Sequence, residues 1–151
     1  MPAMFAAANP FRTPSFNAQS NAYRQIGVTS AVDGANPHRL VGMLYEGLLE
    51  SIAEARGALR TGNVEMKCRS VSRAVRIVEE GLKGGLDLQS GGEIAANLSL
   101  VYGYVSQRLT MANLQNDDAM LQQCAELIQP LREAWTQIGA AVATQPLVVN
   151  G

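Results

Sequence analysis

From about residue 36 to residue 142, apolar residues recur at spacings of three and four, the repeat that lays a stripe of side chains along one face of a helix. Four blocks carry it. The first opens with Asn36-Pro37, a favoured N-cap followed by proline at the first helical position, and runs through Leu40, Val41, Leu44, Leu48, Ile52, Ala55 and Leu59 to Gly62. The second starts near Asn63 and sets Val64, Val71, Val75, Val78, Leu82 and Leu86 on one face, until Gly84-Gly85 and Asp87 weaken it. The third is entered through Ser90-Gly91-Gly92, with Glu93 in the turn where the helix dipole favours a carboxylate. The fourth starts at Asp117-Asp118 and carries Leu121, Cys124, Ile128, Leu131, Trp135, Ile138 and Val142. Pro130 lies inside it, but the stripe keeps its phase across the proline, so a kinked single helix is expected rather than two. No stretch alternates apolar and polar residues as a sheet requires. The pattern predicts an all-α fold, an antiparallel up-down-up-down four-helix bundle.

The third block differs from the others in carrying apolar residues on two opposite faces. Ile94, Leu98, Val101, Tyr102, Val105, Leu109 and Ala112 share one broad arc, while Leu100, Tyr104 and Met111 gather on the other side. A helix apolar on both sides is either wholly buried or faces a partner. Tyr45 and Leu49 in the first block and Ile77 in the second also fall off the main stripes. Exposed together, these residues would form a groove for an amphipathic segment, with tyrosine and methionine supplying adaptable contact area.

Composition narrows the function. Apolar residues make up 47% of the chain and charged ones only 17%, with a formal net charge of −1 and no Lys/Arg cluster. That removes the electrostatic footprint of nucleic-acid binding. No apolar run approaches the ~20 residues of a membrane span, and the N-terminus lacks the basic and apolar regions of a secretory signal, so membrane insertion is not expected and the cytoplasm is. Residues 1–22, rich in Pro, Ala, Asn and Ser, read as a disordered N-terminal arm, residues 23–142 as the bundle domain and 143–151 as a flexible tail.

Chemistry is sparse. His38 is the only histidine, so a histidine relay or multi-histidine metal site has nothing to be built from, and its first-turn position suits a solvated polar residue. Cys68 and Cys124 are too few and too far apart for a disulfide framework or a zinc site and read as small core residues. The Glu-x-x-His pairs of a di-metal bundle do not occur; Glu46, Glu50 and Glu54, and Glu79-Glu80, read as solvated faces. The Gly84-Gly85 and Gly91-Gly92 pairs lack the spacing and the lysine of a phosphate loop. No catalytic, cofactor or metal role is expected of any residue, which leaves a binding protein.

Particular motifs then carry a resemblance. Pro37-His-Arg-Leu-Val-Gly-Met-Leu-Tyr-Glu-Gly47, Gly81-Leu-Lys-Gly-Gly-Leu-Asp87, Gly91-Gly-Glu-Ile-Ala-Ala-Asn-Leu98 with Tyr102-Gly-Tyr104, Leu109-Thr-Met-Ala-Asn-Leu-Gln-Asn-Asp117 and Glu133-Ala-Trp135 occur in that order. As an ordered set, covering roughly Tyr23 to Ile138, they resemble the FliS family of flagellin-specific export chaperones. The resemblance implies a cytoplasmic bundle, without reaction or cofactor, that holds the disordered C-terminal segment of flagellin, prevents premature polymerisation and delivers it to the type III export gate. An anti-sigma factor or a co-chaperone is a further partner it admits, and the assembly expected is a monomer or weak homodimer.

The peptide contacts expected on this reading are Tyr23, Ile26, Tyr45, Leu49, Ile77, Leu100, Tyr104 and Met111. Tyr23, followed by Ile26 and Val28, also matches the family's N-terminal tyrosine segment, here expected to be a displaceable plug over the groove. The chain departs from the family in its longer arm and in Val101-Tyr102-Gly103, where the family usually shows Leu-Tyr-Asp. Gly103 removes an acidic side chain beside the groove and lowers helix propensity. A different class of function is a structural bundle that self-associates through the same apolar surface.

Overall fold

The computed structural model describes residues 10–11 and 36–143. Among the described residues four helices follow one another: α1 (Pro37–Thr61), α2 (Val64–Arg76, continued by a π-helical stretch over Ile77–Lys83), α3 (Gly92–Gln115) and α4 (Asp118–Ala143). The starts are fixed locally. Asn36 Oδ1 accepts the Arg39 N–H at 2.7 Å ahead of Pro37, and Asn63 Oδ1 accepts that of Met66 at 3.1 Å, so exposed amides of each first turn are satisfied. Between them Gly62 ends α1 in the left-handed conformation, φ 73°, which favours glycine. Asn116 does the same for α3 at φ 52°. The last helix runs unbroken through Pro130.

Short connections make neighbours antiparallel. α1 lies between α2 and α4, and α3 closes the bundle against α4 and the π stretch of α2. The core is made of the expected stripes: Leu44, Leu48, Ile52 and Ala55 of α1, Val71, Ala74, Val78 and Leu82 of α2, Tyr102, Val105 and Leu109 of α3, and Leu121, Cys124 and Ile128 of α4. Across its middle the Tyr45 and Tyr102 hydroxyls bond each other at 2.5 Å. Burial raises the pKa of both phenols, that of Tyr45 to about 12.

Several positions differ from the expectation. Tyr45 and Ile77 are core residues and offer no surface to a peptide. Tyr45 is drawn in because Tyr102 satisfies its hydroxyl. Ile77 is drawn in because α2 changes its winding there: i→i+5 bonding, as in Gly84 N–H to Glu79 O at 3.0 Å, widens the turn and lets Ile77 and Val78 both face the core. Conversely Val64, Ile94 and Ile138, placed on core stripes by periodicity, are exposed. Val64 and Ile94 stand in the first turns of α2 and α3. Of the N-terminal arm, Pro10 and Phe11 are described, and Phe11 is buried against the bundle. Tyr23, Ile26, Val28 and residues 144–151 lie outside the described residues.

Charged groups fasten the helix ends. Lys67 is buried and donates to the Asn113 carbonyl at 3.0 Å and to Asn116 Oδ1, satisfying the C-terminal end of α3. Arg56 grips Asp118 with two bonds, 2.9 and 3.1 Å, tying α1 to the start of α4 and holding the Asp118 carboxyl below its usual range.

Candidate functional site

On the face of α3 turned away from the core, Leu100, Tyr104, Met111 and Leu114 are 74%, 51%, 38% and 75% exposed. Their spacing of four, seven and three keeps them on one line along the helix. Leu127 of α4 is exposed beside them and, with Tyr104, Arg108, Gln123, Cys124 and Glu126, lines an open notch of about 330 Å³ between α3 and α4. Arg108 braces this edge. Its Nη2 donates to Gln123 Oε1 at 2.8 Å and its guanidinium lies 5.8 Å from the centre of the Tyr104 ring, a cation–π distance. Tyr104 is thereby oriented by a contact within α3.

Leu49 is half-buried and lies elsewhere. It lines a second notch, of about 340 Å³, with Glu46, Glu50, Gln129 and Arg132, between α1 and α4. The two depressions flank α4 on opposite sides. Of the expected contacts, the structure thus gathers Leu100, Tyr104 and Met111 into one stripe, sets Leu49 across α4 from them and removes Tyr45 and Ile77 to the interior. Leu114 and Leu127 belong to the apolar face but were not singled out by the sequence. Leu114 continues the line of Leu100 and Tyr104, a signal that could have found it; Leu127 is adjacent to the core residue Ile128 and periodicity alone does not separate the two.

Gly103 stands half-buried on α3, and a Cβ built there would lie 3.8 Å from Lys83 Nζ. That ammonium faces Glu79 at 3.7 Å on its own helix. The acidic residue missing at position 103 would thus have had a cation of α2 to meet.

The Cys124 thiol and the His38 imidazole both sit in structural contacts. Burial pushes the Cys124 thiol up to about 11, against the opposing pull of Arg108, so it is a neutral thiol near neutral pH. Its Sγ rests 3.9 Å from the Val105 carbonyl inside the bundle. His38 is held by Trp135 rather than solvated, donating from Nε2 to the Trp135 carbonyl at 2.6 Å. Among the described residues no three His, Cys, Asp or Glu side chains converge as a metal site would require, and no helix is long and apolar enough to cross a membrane.

Known proteins resemble this chain over the same span. The family model described as flagellar protein FliS matches residues 19–142. The flagellar secretion chaperone FliS of Salmonella typhimurium is 43% identical over 124 residues, 82% of this chain and 92% of the relative. Its counterpart in Escherichia coli is 37% identical, covering 78% of this chain and 87% of the relative, and that of Bacillus subtilis is 32% identical, covering 77% and 82%. A bundle of the expected topology, matched along nearly its whole length by one family model and by relatives from distant bacteria, places the chain in the FliS family.

Proposed function

We propose that this chain is a cytoplasmic export chaperone for flagellin: it binds the C-terminal segment of newly made flagellin, keeps it from polymerising and delivers it to the flagellar export gate. The observation that carries the reading is the line of Leu100, Tyr104, Met111 and Leu114 along α3, continued by Leu127. An amphipathic cargo segment seats its apolar face on such a line, reading it as anchors three, four and seven residues apart. Leu49 supports a wrapped path, because a segment that touches both notches has to cross α4. A partner that orders itself while wrapping loses part of its interaction energy to that ordering, so the complex stays releasable at the gate. The segment containing Tyr23, Ile26 and Val28 acts in this proposal as a displaceable plug, and relatives named as flagellar secretion chaperones support the export role.

Calorimetric titration of the full chain with a flagellin C-terminal peptide tests this. Binding at tens of micromolar or tighter is expected, weakened at least tenfold by Tyr104→Asp or Leu100→Asp, a change of about 1.4 kcal/mol or more. No heat and no co-elution at that concentration would refute it. If light scattering instead finds a stable cargo-free dimer that Tyr104→Asp dissociates, the apolar face serves self-association.

A further inference from the structure

The loop between α2 and α3 is closed on itself by Asp87. Its Oδ1 accepts the N–H groups of Gln89 and Ser90 at 3.2 and 2.9 Å, and its carbonyl accepts that of Gly91 at 2.7 Å. The Asp87 N–H is satisfied from outside the loop, by the Pro10 carbonyl at 2.7 Å, and Phe11 forms a single antiparallel bridge with Leu86. Phe11 is only 6% exposed, its ring standing edge-on to Trp135 at 5.3 Å and 77°. Gly91 lies buried beneath the arm: a Cβ there would meet the Asp87 carbonyl oxygen at 2.5 Å and the Ala95 Cβ at 2.6 Å first, and the Pro10 Cα at 3.2 Å next. A main-chain donor, an aromatic wall and a glycine floor are together what a sheet edge offers to an added peptide strand.

We infer that this slot is a docking site for an extended segment bearing one aromatic side chain, and that its occupant is the chain's own N-terminal arm, latched in cis by Pro10 and Phe11. Pro10 and Phe11 stand outside residues 19–142, the span matched by the family model, whereas the slot that receives them lies inside it. Residues 12–35 tether the arm to α1. Because Pro10 and Phe11 belong to the same chain as the slot, their docking is intramolecular, at an effective concentration on the order of millimolar. The latch joins three places far apart in sequence: the arm, the α2–α3 loop and the C-terminal half of α4.

Trp135 is the only tryptophan and reports the latch directly. In the full-length chain, Phe11→Ser should red-shift its emission and raise acrylamide quenching roughly twofold, as an indole does on losing an aromatic cover, while the far-UV spectrum stays that of a helical bundle. Phe11→Tyr should behave as the parent. Amide exchange at Asp87 supplies a second readout, slow in the parent and fast in Phe11→Ser. Unchanged quenching and unchanged Asp87 exchange in Phe11→Ser would overturn the latch. Trp135 protection that grows with protein concentration, alongside a dimer in light scattering, would overturn the cis assignment in favour of arms exchanged between two copies.

Discussion

His38 and Trp135 hold each other from both directions: His38 Nε2 donates to the Trp135 carbonyl at 2.6 Å, Trp135 Nε1 donates to the His38 carbonyl at 2.7 Å, and the two rings stack 4.5 Å apart at 8°. The clasp joins the first turn of α1 to the C-terminal half of α4. His38→Ala keeps the carbonyl that accepts from Trp135 but removes the Nε2 bond and the ring stack, and should lower stability by about 1–3 kcal/mol. Gly139→Ala should do comparable damage from the other side, because its Cβ would overlap the His38 ring, 2.6 Å from Nδ1. Urea unfolding followed at 222 nm measures both; midpoints equal to the parent's would show that the clasp contributes nothing.

The Tyr45–Tyr102 pair predicts a loss of stability in alkali. Burial holds the Tyr45 pKa at about 12 and raises that of Tyr102 from the ordinary 10.0. Raised folded-state values mean that above pH 10 the unfolded chain releases protons that the folded chain keeps, so stability is intact below pH 10 and falls as pH climbs toward 12. Tyr45→Phe should flatten that decline. At neutral pH each single phenylalanine variant leaves one hydroxyl buried without its partner and should cost about 1–3 kcal/mol, whereas the double variant should cost less than the sum. Thermal melts between pH 8 and 11 and a double-mutant cycle decide it, and strict additivity would show the bond to be energetically silent.

Gly103→Asp should stabilise the bundle. It replaces a mid-helix glycine, worth a few tenths of a kcal/mol, and brings a carboxylate to Lys83 across the α2–α3 contact, worth up to about 1 kcal/mol at a partly exposed site. Only the second part is sensitive to salt. A rise in melting temperature that shrinks in high salt, and is smaller for Gly103→Asn, is the expected result; a fall would mean that the half-buried site does not accept the charge.

What the sequence disclosed was mostly local. Asn36-Pro37, Asn63 and Gly62 set helix limits through bonds within a few residues, and the exposed face of α3 follows from helical geometry alone. What stayed hidden depends on partners distant along the chain or on a change of winding. Nothing near Tyr45 announces that its hydroxyl meets Tyr102, and the interior place of Ile77 requires the π stretch, which a fixed angle per residue misassigns. The division of the groove by α4, with Leu49 on one side and Tyr104 on the other, is a property of how helices neighbour one another. Phe11 was hidden for the opposite reason: the composition around it is that of a chain without a core, and its contacts with Leu86 and Trp135 exist only once the bundle has formed.

The π stretch of α2 has a bearing on length. A turn closed by i→i+5 bonds holds one residue more than an α turn over nearly the same rise, so Ile77–Lys83 stores surplus chain inside a helix whose two ends keep their stations, Val71 and Ala74 against the core before it and Leu86 after it. Loss of a single residue there would be absorbed by rewinding to an ordinary α-helix, with Ile77 or Val78 turned outward and the loop to α3 undisturbed. The middle of the molecule thus carries an expansion joint, able to take up a change of one residue that a straight α-helix would pass on to everything beyond it.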